Sequence, residues 1–403
     1  VCVKVACIGG GPAGLYFSIL LKLRDPSHDI TVHERDPEGS TYGWGVTYWR
    51  GLLDRLHAHD PETARAIEEN SVRWSEGVAH VRDLTTRRPG DQGFGIGRRR
   101  LLEILAGRAR SLGVHLTFGH EITPDRLPAA DLVVAADGVH SALRTRHAGH
   151  FGTRITTGRN RYLWLGTTKV FDAFTFAFVE TGHGWIWCYG YGSEAGTCVV
   201  ECTPETWTGL GLDTAHEADG LALLEKLFTD ALDGHPLISR SSADGTAPWR
   251  TFRTLTNRTW HRGNLVLLGD AAHTTHYSVG AGTTLALEDA IALARSLHEH
   301  PALPQALARY ERERQQALLP LQSAAHYSAR WYESLPRYLR LPPHQMFALL
   351  GQRHSPLLPH MPPQLYYRID RASGQLETLR RVKRWLGPKV ARTVHARALA
   401  SRR

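Results

Sequence analysis

The chain has no uninterrupted apolar run of the roughly 18 residues that a membrane helix requires. Its most apolar early segment, ACIGGGPAGLYFSILLKL, is broken by four glycines and Pro12. Those glycines would also interrupt the apolar core of a signal peptide, and no cleavage site follows. Cysteine is scarce, with five residues (Cys2, Cys7, Cys188, Cys198 and Cys202) and no CxxC pair. An odd, scattered set excludes a disulfide framework and fits reduced thiols in a cytoplasmic protein. Histidine is frequent, at 23 residues, but HExxH is absent and no metal site is expected. Acids are nearly missing from the last thirty residues, where nine Lys or Arg stand against Glu377 alone. Most of the formal net charge of +9 therefore lies in this tail. No nucleic-acid motif accompanies the charge, so a solvated face or a contact for an anionic ligand or carrier protein is expected there.

At 403 residues, with 42% hydrophobic and 22% charged residues, the chain is long and apolar enough for two packed units. The segment VKVACIGGGPAGLYFSILLKL reads as a strand, a Gly9-x-Gly11-x-x-Gly14 turn and a helix. In that context the first glycine makes the tight turn and the second lets backbone approach a pyrophosphate. The third lets helix and strand pack closely, and the helix N-terminus faces the phosphate. A second strand, DITVHER, ends in Glu34, where an acid reaches the ribose hydroxyls of an adenosine. Together these features predict an adenine dinucleotide without choosing between NAD and FAD.

Two later strands end in chemistry-bearing turns. ADLVVAADGVHSALR leads into Asp137-Gly138, with Ser141 and Arg144 beyond, and NLVLL leads into Gly269-Asp270. On these motifs, and on Arg98 with Leu101 and Leu105 and the late YERER segment, the chain resembles the single-component, para-hydroxybenzoate-hydroxylase-like FAD monooxygenases over about residues 3 to 330. The segments TYGWGVTYW, NRYLWLGTTKVFDAFTF, VVECTPETW, GDAAHTTHYSVGAGTTLALEDAIALA and QSAAHYSARWYE are similar to those of salicylyl-CoA 5-hydroxylase and anthraniloyl-CoA monooxygenase. More distantly they resemble the indole-hydroxylating flavoenzymes of violacein assembly.

The resemblance implies an α/β protein: a Rossmann-like FAD-binding domain with a parallel sheet, an inserted and mostly antiparallel substrate sheet, and C-terminal helices. The expected division is residues 1–150 and 250–330 for FAD, 151–249 for substrate and 331–403 for a basic helical region. The cofactor is expected at Gly9, Gly11, Pro12, Ala13, Gly14, Glu34, Arg35, Val46, Arg98, Asp137, Gly138, Gly269, Asp270, Gly280, Ala281, Gly282 and Thr283. Asp270 would bind the ribityl chain, and the helix beginning near Thr283 would point its N-terminus at the flavin ring. The family commonly has Pro-Pro where this chain has His276-Tyr277 and Asn where it has Thr284, so substrate contacts do not transfer from the benzoate hydroxylases.

Between residues 155 and 205 the pattern is β. Phe174, Phe176 and Phe178 alternate in one run, and Trp185, Trp187, Tyr189 and Tyr191 in the next, placing each set on one sheet face. That face serves as core, as the roof of an aromatic pocket, or as both. The expected pocket is Thr47, Phe176, Trp187, Tyr189, His276 and Tyr277, with His276 as the candidate catalytic residue. Gly184-Trp185-Ile186-Trp187 matches half of the flavin-halogenase motif, but Tyr189-Gly190 departs from the other half. The chain also has no lysine between Lys22 and Lys169 to capture hypohalous acid.

The activity implied is hydroxylation of an aromatic ring, as a thioester of CoA or a carrier protein or as a free acid or indole. Its co-substrates are O2 and NADH or NADPH, and it proceeds through a flavin C4a-hydroperoxide. No second nucleotide domain is expected, since GIGRRR lacks the preceding strand and third glycine. A flavoprotein oxidase or dehydrogenase of the same fold and a non-catalytic FAD-binding protein are the alternatives. Expected partners are the small aromatic substrate, without nucleic acid or membrane, in a monomer or homodimer.

Overall fold

A computed structural model describes residues 2–41, 43–240 and 247–375. The remaining residues, including nearly all of the basic segment 374–403, lie outside the described residues, and with them falls much of the expected C-terminal basic region.

The β-branched run Lys4–Ile8 is the centre of a six-stranded sheet. Asp29–His33 pairs with it in parallel on one side and Leu132–Ala135 on the other. His115–Thr117 extends the sheet beyond the first neighbour, and Leu265–Leu267 beyond the second. The three motif-bearing strands, ending before Gly9, Ala136 and Leu268, thus lie side by side with their C-terminal ends at one edge. In an open parallel sheet the ligand crevice forms at that edge.

The helix Pro12–Arg24 follows the first strand, with Pro12 pre-set for its first turn. Its residues 12 to 21 are all buried, because the helices Gly282–Glu299 and Arg98–Ser111 pack against it over the sheet. Gly14 shows why the packing is close: a Cβ there would stand 2.2 Å from the Gly9 carbonyl oxygen.

The second sheet has nine strands among the described residues and is mostly antiparallel, with one parallel pairing between Val72–Val81 and Phe174–Thr181. It is the expected mostly antiparallel sheet, and it also takes strands from outside residues 151–249. The strands Gly45–Tyr48, Val72–Val81 and Leu84–Gly97 come from the first 150 residues, and Arg250–Thr256 pairs with Arg154–Thr167. The sheet is therefore assembled from both flanks of the expected boundary. The reason is pairing: the open edge of Phe174–Thr181 finds a partner in the earlier hairpin, and that of Arg154–Thr167 in the later strand Arg250–Thr256.

One face of this sheet packs against short helices from Pro204 to Leu232, burying Leu163, Ile186, Val200 and Phe228. The opposite face meets the end of the long helix Leu303–Glu333 and the helix Pro343–Leu350, burying Trp187, Trp331, Tyr332, Met346 and Phe347. No helix among the described residues is long and apolar enough to cross a membrane.

Candidate active site

A cavity of about 1360 Å³ runs from the first glycine loop to the aromatic face of the large sheet. Gly9, Gly10, Gly11, Pro12 and Ala13 line one end, with Glu34 and Arg35. Gly9 holds φ at +115°, and a Cβ there would stand 2.2 Å from the Ala136 carbonyl oxygen. Gly11 has nothing within 4 Å of the position a Cβ would take, so its backbone faces open space. Glu34 Oε2 accepts the Gly10 N–H at 2.7 Å and Oε1 accepts the Asp36 N–H at 2.9 Å. Both carboxylate oxygens are thereby aimed, and each keeps lone-pair capacity for a hydroxyl. Gly14 and Gly269 do not line the cavity. They act one layer behind it, where a Cβ on Gly269 would meet that of Ala13 at 2.9 Å.

Arg98, Asp137, Gly138 and Asp270 meet in the middle of the cavity. Asp137 Oδ2 accepts the Ala142 N–H at 2.9 Å, while its buried Oδ1 has no hydrogen-bond partner among the described residues. Burial pushes the Asp137 carboxyl above its usual range, against the pull of its hydrogen bonds from Ser141 and the backbone. Asp270 opens onto the cavity while protein crowds its other sides. That desolvation raises its carboxyl, opposed first by the Arg98 charge and then by His273. Two residues proposed separately from sequence thus act on one another across the site. Arg144 has a different task from binding: its buried guanidinium donates to Ala271 O at 3.2 Å and Val139 O at 2.6 Å, tying the two aspartate loops together.

At the other end lie Val46, Thr47, Gly280, Ala281, Gly282 and Thr283. The helix Gly282–Glu299 starts here, so its unsatisfied N–H groups face the cavity. A Cβ on Gly282 would meet nothing within 4 Å. An orphaned carboxylate oxygen, glycines that open into a cradle and a helix N-terminus line one continuous channel. These are the features an extended dinucleotide with a flavin ring requires, and the residues fit FAD.

Beyond this end Tyr162, Trp164, Phe174, Tyr189, Tyr191, Phe252 and Tyr277 wall an aromatic chamber. Tyr277 packs on Tyr162 at 4.7 Å, Phe252 at 5.5 Å and Tyr189 at 6.3 Å. Three expected pocket residues are corrected. Phe176 packs on Phe347 at 6.3 Å, and Trp187 stacks on Tyr332 at 5.9 Å; neither lines the cavity. Both share a sheet face with Tyr189, but the C-terminal helices cover that part of it. His276 also stays behind the wall. Its Nδ1 accepts the Ser278 N–H at 3.3 Å, and its ring stacks on Tyr277 at 4.4 Å. Burial, with Arg353 as a second cause, lowers its pKa to about 3. A neutral imidazole packed behind Tyr277 supports that ring and does not meet a ligand in the cavity.

Two residues escaped the sequence reading. Arg353 lines the chamber from the C-terminal segment and donates to Ser278 O at 2.8 Å and Ser328 Oγ at 3.0 Å. Glu201 is 1% exposed in the wholly buried strand Gly196–Cys202. It accepts the Tyr277 hydroxyl at 2.6 Å and the Asn160 amide at 2.7 Å. Burial pushes its carboxyl up to about 7, although both hydrogen bonds oppose the rise. An acid inside an otherwise apolar strand was the available signal. With the folded pKa above the ordinary 4.5, the folded state holds the extra proton between those values. Stability is therefore lost as pH rises through about 7. Replacing Glu201 by Gln is expected to remove that slope, so the variant gains on the wild type between pH 5 and 8 by at most about 3 kcal/mol. Urea titrations at the two pH values measure the gain.

A channel joining a dinucleotide loop to an aromatic chamber is the working arrangement of a flavoprotein hydroxylase. Comparisons with known proteins bear on the same class. The FAD binding domain family matches residues 125–319. Salicyloyl-CoA 5-hydroxylase from a Streptomyces species is 38% identical over 84% of this chain and 67% of its own length. The 3-hydroxy-4-methyl-anthranilyl-[aryl-carrier protein] 5-monooxygenase of Streptosporangium sibiricum is 34% identical over 83% of this chain and 90% of its own. The solved 2-methyl-3-hydroxypyridine-5-carboxylic acid oxygenase shares the fold, with a TM-score of 0.63 at 19% identity over 83% of this chain and 92% of that one. The chain belongs to the FAD-dependent aromatic monooxygenases.

Proposed function

We propose that this protein hydroxylates an aromatic ring presented as a thioester, with the ring in the Tyr162–Tyr189–Tyr277 chamber and FAD along the channel. The observation that carries this reading is the continuity of one cavity from the Gly9–Gly11 loop to that chamber. When bound, the flavin supplies reduction by NADH or NADPH and activation of O2. The chain's residues do the rest. Tyr162, Phe174, Tyr189 and Phe252 exclude water and stack on the ring. Arg98, Asp137, Asp270 and Glu34 hold the cofactor in register with the chamber, so that the reacting atoms start close together.

The thioester is favoured by Arg161, Arg250 and Arg253, which line the same cavity and offer positive charge to phosphate groups of a long handle. The relatives named for a CoA ester and a carrier-bound ring support the same choice. The test is NAD(P)H oxidation with salicylate, salicyloyl-CoA and indole, with mass analysis of products. We expect a product heavier by one oxygen and a kcat/KM at least tenfold higher for the thioester than for salicylate. Equal turnover of the free acid would remove the handle from the proposal. NAD(P)H consumption without an oxygenated product would favour an oxidase or dehydrogenase.

A further inference from the structure

We propose that Glu201 and Tyr277 form a proton relay that takes the proton from a hydroxyl group on the bound aromatic ring. The inference rests on the aromatic-substrate reading above and names the groups that would activate the ring. Tyr277 lines the chamber, whereas Glu201 does not. The Tyr277 hydroxyl, donating to Glu201 Oε2 at 2.6 Å, connects the buried carboxylate with the wall of the chamber. Asn160 donates to the other oxygen, Oε1, and holds the carboxylate plane in place. In the strand register Glu201 lies directly between Trp187 and Tyr162, two bulky rings that wall it off from water.

An acid in such a place has no evident value for the fold. A buried carboxylate without a cation is costly, and a packed apolar residue would serve the sheet better. Among the described residues no cation pairs with Glu201, and its titratable neighbours carry no positive charge. From the sheet come Tyr189 and Cys202, from the 275–280 loop Tyr277, and from the long helix Tyr332 and Glu333. Glu333 raises the carboxyl further, and Arg353 acts on the neighbouring Tyr332 and on His276. The carboxyl is left near neutrality, able to accept a proton there, while burial first and the Glu201 charge second hold the Tyr277 phenol far above its usual range. Tyr277 therefore passes a proton on without remaining ionised itself.

The step balances without a further reactant. The ring's O–H bond breaks and its proton bonds to Tyr277 Oη. The original Tyr277 proton bonds to Glu201 Oε2. A carboxylate becomes a carboxylic acid, and the ring gains the negative charge. No proton enters or leaves the protein. The ring becomes more electron-rich, as attack by an electrophilic oxygen requires, and the Arg353 side chain on the chamber wall favours the new charge.

The probe is 3-nitrophenol, largely un-ionised in neutral water and coloured as its anion, added to the flavin-loaded protein in weak buffer with a pH indicator. With wild type we expect the bound anion to appear without proton release. With Glu201→Gln and with Tyr277→Phe the anion should fall about tenfold, and any that remains should release one proton each. Infrared difference spectra should show a new protonated-carboxyl band on binding to wild type and none with Glu201→Gln. Tyr277→Phe leaves Glu201 and Asn160 in place, so it decides the matter if the Gln variant does not fold. Equal anion and equal proton release in wild type and Tyr277→Phe would overturn the relay and leave the aromatic site standing. A probe that does not bind the flavin-loaded wild type would remove the aromatic site, and the relay with it.

Discussion

Replacing Gly9 by Ala is expected to unfold the nucleotide sheet locally and to abolish flavin retention. Gly9 holds φ at +115°, where a side chain is strained by about 1–3 kcal/mol. The added methyl would also stand 2.2 Å from the Ala136 carbonyl oxygen and 2.9 Å from the Asp137 nitrogen. Both are backbone atoms of the neighbouring strand end, which moves only if its pairing with Lys4–Ile8 is disturbed. Overpacking of this kind adds about 1–3 kcal/mol, for a total near 4 kcal/mol. Thermal melts and flavin content on purification measure the effect. A variant that melts with the wild type and keeps its yellow colour would show that the loop relaxes without cost. Gly11→Ala is the control, since nothing lies within 4 Å of its added methyl. It should fold normally and weaken cofactor binding alone.

The second large effect is expected at Asp270. Its carboxylate opens onto the cavity opposite Arg98 and is crowded by protein elsewhere. In Asp270→Ala two charge-assisted hydrogen bonds to hydroxyls of the cofactor would be lost, at about 1.5–3 kcal/mol each. FAD affinity should fall by about a thousandfold, and the protein should purify almost colourless. Asp270→Asn separates charge from shape: it keeps an acceptor but removes the negative charge on which Arg98 acts, and an intermediate loss is expected. Equilibrium dialysis against FAD gives the numbers, with thermal melts confirming that both variants are folded. Tight, stoichiometric flavin in Asp270→Ala would remove this residue from the site.

The parts of the site that were legible in the sequence share one property: local backbone geometry specifies them. A strand must turn within three residues to place a helix N-terminus beside Gly11, and few residue types permit that turn. Glu34 lies one residue beyond the strand Asp29–His33, so its position at the crevice follows from strand length alone. Asp137 and Asp270 likewise end neighbouring strands, which brings them to one edge of the sheet. These motifs were enough for an adenine dinucleotide, and the resemblance they carry supplied the fold class and the choice of FAD.

Period two identified the sheet face shared by Trp187, Tyr189 and Tyr191, but no periodicity says what will lie on it. Only packing decided that Tyr189 and Tyr191 wall the chamber while Tyr332 covers Trp187. The same holds for His276 and Tyr277. They are adjacent in sequence, yet one ring faces the cavity and the other is pressed behind it against Phe252 and Ser278. Glu201 and Tyr277 are 76 positions apart, and Arg353 reaches Ser278 from 75 positions away. Such meetings depend on which strand edges pair and where the last helices dock. Those choices are made by burial of apolar surface over the whole chain, which is not directional and leaves no local pattern at either partner.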